Sequence, residues 1–316
     1  MLAVHLENGS VELRNQPRPP RPAGHALIRL LCGGICNTDL ELQRGYYSFA
    51  GTPGHEFVGE VVEADSKHWI GRRVVGEINL ACGDCDWCRR GLGRHCPRRA
   101  VLGIVRHPGA FREYFTLPER NLHALPDDLP TARAVFVEPL AAACEILDQV
   151  PLPCGAEVAV LGDGKLGLLV ALVLNAYGHR VHQFGRHPEK LAIAGRAGVR
   201  TEASTATLPT MAYDWVVDAT GSPEGFRQAV GMARPRGTVI LKSTVHGLVG
   251  VDTAPVIVHE ITLVGSRCGR FEPALDLLRR NLIPVDQMIS GQLPLSEAPR
   301  AFARAAQKGV LKVLLA

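Results

Sequence analysis

Over the first ~125 residues, apolar and polar positions alternate in short runs, which predicts β-strands with one buried face. Ala26-Leu-Ile-Arg-Leu-Leu31 and Phe57-Val-Gly-Glu-Val-Val62 are two such runs, separated by Gly and Pro punctuation. Met1 to Glu7 alternates as well, and Asn8-Gly9 behind it is a hairpin-turn signal. The texture changes near Asp127 to Pro130. Thr131 to Val150 reads as an Ala-rich helix that Pro139 is expected to kink or restart. After Gly155, short apolar strands alternate with helical stretches as far as Ile261 to Gly265, the signature of βαβ units and a parallel sheet. Phe271 to Ala316 adds two amphipathic stretches and a last strand, Val310 to Leu315.

Size and charge narrow the picture modestly. A chain of 316 residues has room for about two domains. With 46% hydrophobic and 21% charged residues it has the composition of an ordinary globular protein. No apolar stretch approaches the ~20 residues that span a bilayer. The opening segment lacks the basic start and long apolar run of a secretory signal, so a cytoplasmic setting is expected. The net charge of +4 does not imply nucleic acid. Arg89, Arg90, Arg94, Arg98 and Arg99 do cluster, and two readings stand: a phosphate-gripping zinc ribbon, or a solvated or subunit-contacting face. Only Trp87 interleaves them as an aromatic platform, so no nucleic-acid partner is expected.

Beside those arginines lies the most informative chemistry. Cys82, Cys85, Cys88 and Cys96 follow one another at gaps of two, two and seven residues. Four thiolates so spaced can enclose one tetrahedral Zn²⁺ with no open position, which makes a structural site. Disulfides are the competing reading, and a reducing compartment argues for the metal.

A second chemical feature opens the βαβ region. The strand Glu157-Val-Ala-Val-Leu161 runs straight into Gly162-Asp163-Gly164-Lys165-Leu166-Gly167, and a helical stretch follows. In that context the G-x-G-x-x-G pattern predicts a dinucleotide site. Gly162 makes the tight turn, Gly164 lets backbone approach the pyrophosphate, and Gly167 packs helix on sheet. The phosphates would sit at the helix N-terminus. The second strand, Arg180 to Phe184, is followed by Gly185 and Arg186, where an NAD site would carry an acid for the ribose 2′-hydroxyl. A missing carboxylate and an added guanidinium favour NADP over NAD. Arg186 stacked on adenine or facing solvent is the other reading. A further strand, Asp214 to Asp218, leads to Thr220 at the cofactor crevice.

Upstream stand two more sets of ligand-type residues, Cys36-Asn-Thr38-Asp39 and Gly54-His55-Glu56. Together with the cysteine cluster, Glu138-Pro-Leu140 and the glycine loop, they appear in an order that resembles the zinc-containing medium-chain alcohol and polyol dehydrogenases over essentially the whole chain. The resemblance implies an α/β protein: a Rossmann doubly wound parallel sheet plus a β-rich GroES-like catalytic domain. The catalytic domain is expected at 1–130, the Rossmann domain at 131–265, and a returning segment at 266–316, with the reaction in the cleft between domains.

By the same resemblance, Cys36 and His55 hold a catalytic zinc, and Glu138 supplies the third position directly or through water. In the sorbitol and glucose dehydrogenase branches a glutamate takes that place, where the alcohol dehydrogenase branch uses cysteine. Glu56 is a further ligand candidate. Two zinc ions per chain are therefore expected, one catalytic and one structural. The catalytic ion would act as a Lewis acid on an alcohol oxygen. Thr38 is placed to take the proton, and Asp39 to orient His55 or Cys36. Glu41 stands where several relatives have a histidine, which puts the relay route and its pH dependence at issue.

Relatives with these motifs act on simple alcohols, polyols, sugars and hydroxyethyl groups, and nothing in the sequence chooses among them. Tyr46, Tyr47 and Phe49 read equally as pocket wall or as loop packing, and Val105 to Gly109 as a segment near the crevice. Cys144 reads as helix packing, and Cys32, Cys154 and Cys268 as buried small apolar residues. A dimer or tetramer is implied. Two rival functions are a zinc-free quinone or enone reductase on the same scaffold, and a cofactor-sensing or nucleic-acid-associated zinc protein.

Overall fold

The Asn8-Gly9 signal is realised as a tight hairpin. Leu2–Glu7 and Ser10–Asn15 pair antiparallel, Glu7 opposite Ser10. Both turn residues take positive φ, 48° and 83°, as a turn that matches the twist of the flanking strands requires. The hairpin belongs to the first of two compact units in a computed structural model, which describes residues 1–204, 207–244 and 250–316.

That first unit comprises Met1–Glu138, Leu278–Arg280 and Ile289–Ala316. Its main sheet has seven strands and is built around His25–Gly34. This strand pairs antiparallel with Glu56–Glu63, with Tyr114–Pro118, and at its far end with the C-terminal strand Lys312–Leu315. The C-terminal residues thus complete a sheet begun near the N-terminus. Phe111 and Phe302 anchor the core under it and meet edge to face at 6.1 Å. Burial of each ring contributes about 1.5–3 kcal/mol.

The second unit comprises Pro139–Leu277 and Asn281–Met288. Its sheet has six strands, all parallel, in the spatial order Arg200–Ala203, Arg180–Gly185, Glu157–Leu161, Tyr213–Asp218, Ala233–Leu241, Thr262–Gly265. Numbered along the chain this is 3-2-1-4-5-6, the doubly wound Rossmann order, with the reversal beside the strand that carries the glycine loop.

The units divide after Glu138, where the sequence placed a boundary near 130. The segment after 265 also divides differently from the single returning piece expected. Ser266 to Leu277 stays with the second unit, because Lys242 Nζ donates to Ser266 Oγ and Arg267 O (both 2.8 Å), and Arg270 Nε reaches Asp148 at 3.0 Å. Only Leu278–Arg280 and Ile289–Ala316 belong to the first. The expected helix break falls earlier than Pro139. Thr131–Ala134 ends, a new helix runs Val137–Gln149, and Pro139 lies in its first turn, where a missing N–H costs nothing. Cys32 and Cys144 are buried, but Cys154 is exposed in the turn before Gly155 and Cys268 is half-buried, so the buried reading fails for those two.

Candidate metal centre and cofactor loop

Strand pairing assembles the first donor group. Glu56 lies opposite Gly34, two residues before Cys36, so the start of one strand meets the end of its neighbour. Cys36 caps the helix Asn37–Gln43, and Asp39 in its first turn ties the pieces together. Asp39 Oδ2 accepts the Cys36 N–H at 2.9 Å, and its Oδ1 accepts the Gly54 N–H at 3.2 Å and lies 3.3 Å from His55 Nδ1. One fully buried carboxylate therefore fixes both ligand segments.

The sulfur of Cys36, a ring nitrogen of His55 and a carboxylate oxygen of Glu56 all lie within 4.8 Å of one another. Glu138, half-buried at the start of its helix, is not in this group. Thr38 Oγ1 lies 3.9 Å from Cys36 Sγ. Glu41, one turn further along the helix, accepts from Arg44 Nη1 at 2.6 Å.

The group fits a metal cation. Glu56 is fully buried, and its Oε1 has no hydrogen-bond partner, a costly state unless something occupies the lone pairs. Burial works against a charge on His55, yet Asp39 and Cys36 outweigh it and hold the imidazole well above its ordinary pKa. Sulfur, nitrogen and oxygen donors brought this close together suit zinc.

The sequence reading missed Lys312. Its side chain is 1% exposed, and Nζ pairs with Glu56 Oε2. It lies 5.7 Å from the centroid of the Phe136 ring. Burial opposes its charge too, and Glu56 foremost overrides that, raising its pKa. Gly34 leaves the room: a Cβ there would lie 2.6 Å from Val135 and 2.7 Å from Glu56 Oε2. The available signal was a lone lysine inside the apolar run Val310 to Leu315.

The four clustered cysteines converge as well. Neighbouring sulfurs are 3.4–3.8 Å apart. A tetrahedron with Zn–S bonds of about 2.3 Å has edges of roughly 3.8 Å, whereas a disulfide needs about 2.05 Å. The arginines around them are largely engaged: Arg98 pairs with Asp84, Arg89 with Asp86, and Arg90 lies over Trp87 at 5.5 Å.

In the second unit the glycine loop turns tightly between a strand and a helix. Gly162 takes φ +113°, where a Cβ would strike Ala219 O at 2.7 Å, and a Cβ on Gly167 would lie 2.4 Å from Gly162 O. Gly164 faces open space and caps the helix Lys165–Ala176, which leaves backbone accessible to a phosphate. Leu166 is half-buried beside Lys165 in the first helical turn. Thr220 Oγ1 donates to Asp218 Oδ1 at 2.7 Å. Arg186 is exposed at the end of the second strand.

A cleft of about 580 Å³ lies in the first unit, lined by Tyr47, Phe49, Thr52, Ile104, Arg106 and His107 among others. Tyr46 and Phe49 also pack on the core, while Tyr47 is 63% exposed, so the aromatic loop serves both readings. The lining residue Thr52 leads directly to Gly54 and His55, and this stretch is tied to the chain after Pro108: Gly109 N donates to Thr52 O at 2.7 Å and Ala110 N to Gly54 O at 2.9 Å.

A Cys–His–Glu centre, its Cys36 half-buried and its His55 and Glu56 buried, and a Rossmann unit with its glycine loop, in one chain, define a metal-dependent oxidoreductase that uses a dinucleotide. Comparison with known proteins gives the family. The profile described as alcohol dehydrogenase GroES-like domain matches residues 22–127, and that described as zinc-binding dehydrogenase matches 166–280. An L-threonine 3-dehydrogenase of Chelativorans sp. is 33% identical over 79% of this chain and 78% of its own. A D-altritol 5-dehydrogenase of Agrobacterium fabrum is 30% identical over 92% of each. The crystal structure of a zinc-binding dehydrogenase from Sinorhizobium meliloti, bound to NADP, superposes with TM-score 0.91 at 29% identity, covering 99% of this chain and 98% of that one. The chain belongs to the zinc-containing medium-chain dehydrogenase/reductase family, and it is an enzyme of the alcohol dehydrogenase type that uses a nicotinamide cofactor. Among the described residues no helix is long and apolar enough to cross a membrane.

Proposed function

We propose that this enzyme interconverts a polyol or related small alcohol and its carbonyl form, with zinc at the Cys36–His55–Glu56 centre and NADP favoured over NAD. The observation that carries the reading is the convergence of half-buried Cys36 with buried His55 and Glu56, whose Oε1 is unsatisfied. Cys36, His55 and Glu56 would hold the catalytic ion, with Glu138 as the carboxylate able to exchange with Glu56. The four clustered cysteines would hold a second, structural ion. Bound in place, zinc supplies Lewis-acid polarisation of the alcohol oxygen and the nicotinamide supplies the hydride acceptor.

The chain's own residues do the rest. Asp39 sets the orientation of His55 and of the Cys36 turn. Thr38 Oγ1 would accept the alcohol proton as it releases its own, and Glu41, one helical turn on, would receive that proton and pass it to solvent. Lys312 offsets the charge of Glu56. The amides around Gly164 hold the pyrophosphate, Thr220 borders the same crevice, and Arg186 meets the 2′-phosphate. Tyr47 and Phe49 supply apolar wall for a carbon chain, and Arg106 and His107 supply donors for its hydroxyls. Nine cysteines without a disulfide suit a cytoplasmic setting. Exposed Ile257, Val258 and the edge-strand residue Leu263 suit contact with a second copy.

The test is turnover of NADP⁺ and NAD⁺ by the zinc-loaded protein with a panel of polyols and simple alcohols, beside Cys36→Ser. Turnover with at least one alcohol, lost in Cys36→Ser while cofactor binding persists, is the expected result. Full activity in that variant would sink the catalytic-metal reading.

A further inference from the structure

Gly185 ends its strand without a side chain, yet a carboxylate fills the space beside it. A Cβ placed on Gly185 would lie 2.5 Å from Asp163 Cβ and 2.7 Å from Asp163 Oδ2. Asp163 reaches over from the glycine loop, and its side chain is 11% exposed. Its Oδ2 accepts the backbone N–H of Arg186 and of His187, each at 2.6 Å. His187 Nδ1 lies 3.0 Å from Oδ2 and 3.2 Å from Oδ1.

Three consequences follow. No acidic side chain fits at 185, so the position from which a Rossmann site reads a free ribose 2′-hydroxyl is closed. The charge of Asp163 is engaged by two amides and an imidazole, which reduces what it presents to an incoming phosphate. The turn after the second strand is bound to the glycine loop, so whatever Arg186 and His187 present is presented from a fixed backbone. Arg186 is exposed, and its guanidinium makes no hydrogen bond or ion pair among the described residues.

We propose that Asp163 is a positioning residue for cofactor choice. By holding the 185–187 turn, it aims Arg186 and the His187 ring at the 2′-phosphate of NADP. The inference rests on the reading of Arg186 above, and goes beyond it by placing selectivity in a residue of the glycine loop.

The test measures dissociation constants for NADP⁺, NAD⁺ and 2′,5′-ADP by calorimetry on the zinc-loaded full chain. Loss of charge-assisted hydrogen bonds in Asp163→Ala should weaken NADP⁺ and 2′,5′-ADP by roughly tenfold or more, with NAD⁺ changed by less than about threefold. Asp163→Asn, whose amide oxygen still accepts the backbone N–H groups, should restore most of the affinity. Gly185→Ala, which crowds Asp163 out of its place, should reproduce the selective loss even where Asp163→Ala folds poorly. Equal weakening of both cofactors, or selective loss of NAD⁺, would overturn the proposal. If Arg186→Ala costs NADP⁺ affinity while Asp163→Ala and Gly185→Ala cost none, the Asp163 proposal alone falls. If Arg186→Ala changes neither cofactor's affinity, the reading of Arg186 falls and takes this proposal with it.

Discussion

Replacing Lys312 by methionine leaves the Glu56 carboxylate buried without its cation. The two side chains are 1% and 0% exposed and are 256 residues apart in sequence. At hydrogen-bond contact, about 3 Å, a unit charge pair interacts by roughly 5 kcal/mol at an effective dielectric constant of 20. Removing one member of a buried pair typically costs about 3–5 kcal/mol, whereas replacing both by apolar groups is often near neutral. Lys312→Met should therefore lower the melting temperature of the first unit by roughly 10 °C, and Glu56→Leu/Lys312→Met should recover most of that loss. Thermal melts followed by circular dichroism would complete the cycle with Glu56→Leu alone. All four proteins should be stripped of zinc alike, so that metal binding by Glu56 does not enter. A drop of less than ~2 °C, or a double variant as unstable as the summed singles, would refute the argument that the pair acts as a unit.

Three other outcomes are expected. Gly34→Ala puts a methyl 2.7 Å from Glu56 Oε2 and 2.6 Å from Val135, so it should lower both stability and zinc retention at the catalytic centre, read by metal analysis alongside a melt. Cys85→Ser should remove one zinc per chain and expose the 82–96 lobe to limited proteolysis, since structural zinc binding is itself folding energy; unchanged stoichiometry would count against the four-thiolate site. His182, buried with Nδ1 2.6 Å from Tyr213 Oη, has its pKa lowered by burial first and by Arg200 second. A depressed imidazole pKa means the unfolded chain takes up the proton first, so stability is full above the unfolded value of about 6.5 and is lost as pH falls through the folded value. His182→Gln should flatten that acid limb of the melting temperature, and an unchanged limb would assign it to other groups.

Much of this protein was legible in the chain because its signals are local. Asn8-Gly9 fixes a turn by the φ values it permits, and Gly162 to Gly167 fixes another between a strand and a helix. The spacing of Cys82 to Cys96 allows four sulfurs to meet whatever the rest of the fold does. The two strands Ala26 to Leu31 and Phe57 to Val62 were likewise visible from alternation alone. Helix and domain boundaries were less so, since the place where a chain leaves one unit depends on what packs against it, as Lys242 does on Ser266.

What the sequence by itself carried was local: the spacing of four cysteines, the strand–glycine loop–helix pattern, and the donor residues Cys36 and His55, whose metal role only the family resemblance implied. Tertiary structure alone brings the Glu56 carboxylate beside Cys36 and His55, because strand register sets Glu56 opposite Gly34 while Glu138 begins a helix outside that group. Lys312 and Asp163 belong to the same category. Each is brought to its partner across a sheet or from a neighbouring loop. Each is held there because a buried charge is stable only beside its complement, a condition that no local sequence pattern expresses.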